Sequence, residues 1–179
     1  MKIIFDAEMT GCDEYYDEIL QLSIINEEGE TLLNEYYKPK YISEWQESER
    51  IHGITPEMVK DCDCIDDHLS KIQAIFDQAS ELIGYNTPCD LSFLRMAGIR
   101  IPDVKITDVM VEFSPIYAEA KHKKVVKSKK LITCAAYYGY EYEAHNSLND
   151  ALATLYCYQQ IHKDEWWRNL PNNNGIWCF

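Results

Sequence analysis

Two carboxylates stand two residues apart in the opening run MKIIFDAEMTG: Asp6 and Glu8, placed directly after the apolar Ile3-Ile4-Phe5. On a strand, residues i and i+2 share a face, so the two acids project together. Burying such charge is costly unless something pairs with it, and a metal ion is one candidate partner. Three more groups able to handle protons or cations fall at element ends: Asp90 after ELIGYN, His145 in a loop, and Asp150 one turn inside the last helix. In open α/β sheets, sites form beyond the strand ends, where such residues can meet. Each of these three also has a plainer reading. Ser147-Leu148-Asn149-Asp150 has the form of a capping box, Asp90 could be an N-cap, and His145 could be an ordinary loop histidine. Asp6 and Glu8 have the weakest plain reading, because nothing local explains two acids closing an apolar strand.

The elements that must position these residues follow from hydrophobic pattern. Residues 2–8, 17–26 and 31–37 read as three strands in quick succession, an antiparallel meander with Gly29 in a turn. SEWQESERIHGI suggests a short helix and loop, and Thr55-Pro56-Glu57 a helix start. Residues 66–79 carry Leu69, Ile72, Ile75 and Phe76 at helical spacing. A short strand (81–86), a helix closed by Gly98 (90–98), a strand running into a helix (104–110), a helix ended by Gly139 (131–139) and a long last helix (148–162) complete the pattern. Antiparallel strands followed by alternating strand and helix predict an α/β fold, a mixed sheet flanked by helices.

Bulk properties narrow the function. The 179 residues suit one domain, 1–179, with residues 163–179 as an aromatic, Asn-rich C-terminal extension. No apolar run approaches the ~20 residues of a membrane span. The N-terminus has one Lys and then acids, unlike a signal peptide, so a cytoplasmic location is expected and no membrane partner. Seven scattered cysteines fit reduced thiols better than a disulfide framework. Cys62, Cys64 and His68 invite a metal-site reading, but zinc sites usually show CxxC spacing with a second ligand pair, and the plainer reading is a turn before a helix with acids at its start. A net charge of −13 argues against nucleic acid, yet KHKKVVKSKK (121–130) gathers six of the 17 basic residues, which makes Lys123, Lys124 and Lys127 candidate polyanion contacts against the plain reading of a solvated loop.

Three ordered motifs carry a family resemblance. FDAEMTG resembles the first motif of the DnaQ-like, or DEDDh, 3′–5′ exonucleases, usually Asp-x-Glu-Thr-Thr/Ser-Gly. YNTPCDLSFL is similar to the second, and AHNSLNDALAT to the third, in which His precedes Asp by five positions. IHGITPEMV matches a further family segment, and the resemblance runs from residue 3 to about 160. Met9, Tyr85 and Cys89 depart from the usual Thr, His and aromatic residue at those places, which touches substrate preference more than catalysis.

The resemblance implies a ribonuclease H-like fold and a 3′–5′ exonuclease that releases nucleoside monophosphates from single-stranded DNA or RNA. It implies two divalent cations, Mg²⁺ or Mn²⁺, bound by Asp6, Glu8, Asp90 and Asp150, with Asp6 bridging both and His145 as general base. It places Met9, Thr10, His52, Tyr85 and Asn86 around the 3′-terminal nucleotide. Any polymerase or other processing partner would be a separate chain. Two rivals remain at this level: a non-catalytic interaction module on the same fold, against which all five catalytic positions are filled, and a hydrolase of small phosphoesters, against which the lysine run weighs mildly.

Overall fold

The apolar runs form strands where they alternate or are buried on both faces, and the computed structural model describes residues 1–163. Three strands, β1 (Lys2–Met9), β2 (Ile19–Asn26) and β3 (Thr31–Tyr36), form the meander. Two short helices follow, α1 (Gln46–His52) and α2 (Pro56–Val59), the latter capped by the Thr55 hydroxyl. A 3₁₀ turn (Ile65–His68) leads into α3 (Leu69–Phe76). Then come β4 (Glu81–Gly84), α4 (Thr87–Met96), β5 (Lys105–Asp108), α5 (Val109–Ala120), α6 (Leu131–Tyr137) and α7 (Ser147–Lys163). The sheet order is β3-β2-β1-β4-β5. β1 runs antiparallel to β2 and parallel to β4, and β4 is parallel to β5, so the sheet is mixed as the pattern implies.

Alternation along β1 divides the core into two layers. Ile3, Phe5 and Ala7 pack with Ile72 and Phe76 of α3 and with Leu91, Phe93 and Leu94 of α4. Ile4 faces the other way, into Val109 and Phe113 of α5, Cys134 and Ala135 of α6, and Ala151 and Leu155 of α7. A smaller cluster of Leu20, Trp45, Ile54 and Val59 closes the end near α1, where the Trp45 indole N–H donates to the Ile54 carbonyl at 2.7 Å.

Element ends differ from the sequence reading where side chains compete for the backbone. β2 begins at Ile19, because Asp17 and Glu18 serve loops: the Glu18 carboxylate accepts from the backbone N–H groups of Lys40, Tyr41 and Ile42. β4 ends at Gly84, and α4 starts at Thr87 after Asn86 turns into the left-handed region at φ 63°. Asp90 therefore lies inside the first turn of α4 and is not its N-cap. The stretch 66–79 splits into the 3₁₀ turn and α3. Residues 164–179, which include nearly all of the expected C-terminal extension, lie outside the described residues.

Candidate active site

Asp6 and Glu8 continue the face of β1 that begins with Ile4, so they point toward α7. The β1–β2 register sets Asp6 beside Ser23 and Glu8 beside Gln21. Those two β2 side chains grip the start of α7. The Ser23 and Ser147 hydroxyls lie 2.7 Å apart, and the Ser147 backbone N–H donates to Gln21 Oε1 at 3.2 Å. The first turn of α7, and Asp150 with it, is thereby fixed over the two acids. Ligand atoms of Glu8, His145 and Asp150 all lie within 4.8 Å of one another.

This arrangement replaces the capping-box reading. The Ser147 N–H goes to Gln21, and the Asp150 carboxylate is engaged elsewhere: it accepts from the Tyr142 hydroxyl and from the His145 backbone N–H, both at 2.7 Å. The Asn146 side chain, at 3.4 Å from the Asn149 N–H, takes the cap's place. His145 is exposed and holds φ 68°, a conformation uncommon for a side-chain-bearing residue and found disproportionately at functional sites. The same carboxylate that faces Glu8 therefore also ties down the backbone of the histidine.

Asp90 reaches the site from the opposite layer. It is buried, and the Ala7 N–H, between the two acids of β1, favours its charged form. Asp108 supports this junction: its carboxylate accepts from the N–H groups of Asn86 (3.0 Å), Thr87 (3.1 Å) and Met110 (2.9 Å). One carboxylate thus caps α5 and fixes the turn into α4. Asp108 and Tyr142 are supporting residues that sequence reasoning missed. Asp108 had a signal, an acid at a strand-to-helix junction, whereas Tyr142 was one of 13 tyrosines with nothing to distinguish it.

The electrostatics demand a counter-charge. Burial, then the charges of Asp90, Asp150 and Glu8, push the Asp6 carboxyl well above the usual carboxylate range. Burial and Glu8 do the same to Asp90. Glu8 is pushed up to about 8 by burial and Asp150, and burial raises Asp150 despite the bonds from Tyr142 and His145. Like charges sharing a partly dry site cannot all ionise without cations. The donors are hard carboxylate oxygens, the kind that divalent metal ions take. The residues present fit a divalent metal centre.

The remaining candidates separate into pocket and framework. The His52 ring bridges the ends of two elements, with Nδ1 accepting from the Ile54 N–H at 3.0 Å and Nε2 3.2 Å from the Met9 carbonyl. Burial lowers the His52 pKa, and His145 is close enough to push it in the same direction. Met9 is half-buried, and Asn86 is exposed at the turn into α4. Thr10, expected as a substrate contact, is also held in the framework: its hydroxyl donates to Asp17 and accepts from the Glu18 N–H, both at 2.9 Å, and its carbonyl accepts from Ser48. Tyr85 is only 8% exposed and packs in the α7-side core, its hydroxyl donating to the Lys129 carbonyl at 2.7 Å. Lys123, Lys124 and Lys127 are exposed on the loop between α5 and α6. Cys62, Cys64 and His68 do not form a metal site. His68 is bonded by Glu35 and Asp63, Cys62 lies against the Met58 carbonyl, and among the described residues the only metal-competent group is the one containing Glu8.

Residues 3–158, nearly the whole described chain, match the RNase T exonuclease family. The chain belongs to this exonuclease family. That family agrees with the resemblance of the three motifs to the DnaQ-like exonucleases. The chain is 31% identical over 98 residues to the PolC-type DNA polymerase III of Thermotoga maritima; the match covers 52% of the chain but 7% of that much longer polymerase. Its fold is that of Exonuclease X, solved with 5′-overhanging duplex DNA (TM-score 0.70, 15% identity, 93% of this chain and 94% of that one). It is also that of E. coli Exonuclease I, solved with a dA16 oligonucleotide (TM-score 0.74, 20% identity, 90% of this chain and 40% of that one). The family and the carboxylate–histidine group together point to divalent metal ions. Among the described residues no helix is long and apolar enough to cross a membrane.

Proposed function

We propose that the exonuclease removes nucleoside monophosphates from the 3′ end of single-stranded DNA or RNA by two-metal-ion hydrolysis. The observation that carries this reading is the meeting of Glu8 of β1, the exposed His145 and Asp150 of α7 within 4.8 Å, with Asp6 of β1 and Asp90 of α4 buried close enough for their charges to act on one another and on Glu8. Asp6, Glu8, Asp90 and Asp150 would hold two cations, Mg²⁺ or Mn²⁺. When bound, such ions neutralise the scissile phosphate and stabilise the charge that develops on the attacking and leaving oxygens.

The protein's own groups then have separate tasks. His145, exposed to solvent beside Glu8 and Asp150, takes a proton from the attacking water as general base. The water oxygen bonds to phosphorus, the bond to the 3′ oxygen breaks, and a nucleoside 5′-monophosphate leaves a strand one residue shorter. Met9, His52 and Asn86 line the terminal-nucleotide pocket, while Thr10 and Tyr85 brace it from behind. The two structural neighbours, solved with a dA16 oligonucleotide and with a 5′-overhanging duplex, support a nucleic-acid end as substrate. The polymerase relative supports a polymerase as one partner, and six free thiols among the described residues suit a cytoplasmic setting.

The test is incubation of 5′-labelled single-stranded DNA and RNA with Mg²⁺ or Mn²⁺. A ladder of products shortened from the 3′ end, abolished by EDTA, is expected. Internal cuts, or activity that persists in chelator, would overturn the reading.

A further inference from the structure

An acidic enzyme that grips a polyanion needs positive charge beyond the scissile phosphate, and one segment carries charge that nothing else uses. Lys2, Lys40, Lys60, Lys71, Lys105 and Arg100 each pair with a carboxylate. Among the described residues, the six lysines of 121–130 pair with none, although the chain carries 30 acids. Their ammonium groups instead crowd one ring: Nζ of Lys121, Lys123 and Lys129 stand 6.0, 5.8 and 5.5 Å from the Tyr117 centroid. Beside that ring, Lys123, Lys124, Lys127 and Lys129 line a cavity of about 330 Å³. Like charges gathered in this way repel, and a bound anion relieves the repulsion.

The segment is anchored at the catalytic edge of the sheet. Its Lys129 carbonyl accepts from the Tyr85 hydroxyl at 2.7 Å. Tyr85 directly follows β4, the parallel neighbour of β1, and with Ile83 it packs into the layer toward which Asp6 and Glu8 point. The lysines therefore hang from the same side of the sheet as the acids, beyond the strand ends. We propose that Lys121–Lys130 is the track for the phosphates of a single strand upstream of its 3′-terminal nucleotide, an inference that rests on the exonuclease reading above. Ammonium groups gathered around the Tyr117 ring meet successive phosphates, the electrostatic groove that sequence-tolerant single-strand binding uses.

The test compares wild type, the triple variant Lys123→Ala/Lys124→Ala/Lys127→Ala, and the matching triple Arg variant, all as the full chain. The probes are a long fluorescent oligothymidylate, for binding across a salt series, and a thymidine dinucleotide, for hydrolysis. The Ala variant is expected to lose at least about tenfold in affinity for the long strand, with the log–log salt slope shallower by about 0.7 per lost phosphate contact. Dinucleotide hydrolysis should be unchanged, and the Arg variant should keep the wild-type slope. An unchanged slope in the Ala variant, with dinucleotide hydrolysis intact, overturns the track, leaves the exonuclease reading standing and directs attention to an acidic polypeptide as occupant. Equal losses on both probes also overturn it. Failure of the wild-type protein to hydrolyse either probe overturns the exonuclease reading itself.

Discussion

The His145 side chain and the Asp90 carboxylate stand in the same site yet have opposite surroundings, and this separates their roles. His145 is exposed and fixed only through its backbone, whereas Asp90 is buried among carboxylates whose charges oppose its ionisation. A proton carrier needs access to water; a cation ligand needs the repulsion that only a cation removes. His145→Ala is therefore expected to leave metal affinity largely intact and slow the chemical step by roughly 10²–10⁴-fold. Asp90→Ala is expected to weaken metal binding itself. Calorimetric metal titration beside single-turnover rates checks both. Near-normal rates in His145→Ala at pH 7 would assign the proton to another group.

At the level of elements, the loop after β1 determines where the strand's acids end. Thr10, Asp13 and Asp17 close it: the Asp17 carboxylate accepts from the Thr10 hydroxyl at 2.9 Å and from the Asp13 N–H at 3.0 Å. Gly11 makes this closure possible, since a Cβ there would sit 2.2 Å from Asp17 Oδ2. Gly11→Ala must displace a carboxylate held by two hydrogen bonds. It is expected to destabilise the protein by about 1–3 kcal/mol. Asp17→Ala in the Gly11→Ala background should cost less than in wild type, because the clash and the bonds it breaks are the same ones. Chemical denaturation of the four proteins measures this coupling, and strict additivity would contradict it.

Across the whole molecule, the acid cluster couples metal binding to stability. Glu8 is raised from its ordinary 4.5 to about 8, chiefly by burial, and Asp6, Asp90 and Asp150 are raised for the same leading reason. With raised values, the folded state binds more protons than the unfolded one. The stability these groups contribute is fully present below their unfolded values and is lost as pH rises through the folded ones. The metal-free protein is therefore expected to melt at progressively lower temperature between about pH 4.5 and about pH 8. Added Mg²⁺ or Mn²⁺ replaces the protons, so its stabilising effect should be largest at the upper end of that window. His68, raised by its bond to Asp63 despite slight desolvation, shifts stability in the same direction, but a cation at the site does not restore its share. Thermal scans with and without metal across pH check this, and a metal effect independent of pH would contradict it.

Strand alternation, the i, i+2 pair Asp6 and Glu8, the order of the motifs and the mixed sheet were all legible in the chain, because they depend on local periodicity and local spacing. The resemblance pointed to Asp150, but spacing alone left its use open, and the framework roles of Thr10 and Tyr85 were not legible. A capping box and an acid poised over a metal site have the same spacing. Only the β1–β2 register, which brings Gln21 to the Ser147 N–H, released Asp150 for Glu8 and His145. Tyr142 and the anchor from Tyr85 to Lys129 were equally hidden, since each joins segments whose proximity depends on how α5, α6 and α7 pack on the sheet. Local sequence sets which way a side chain points along its own element; which partner it meets is decided by tertiary packing, where distant buried polar groups must satisfy one another.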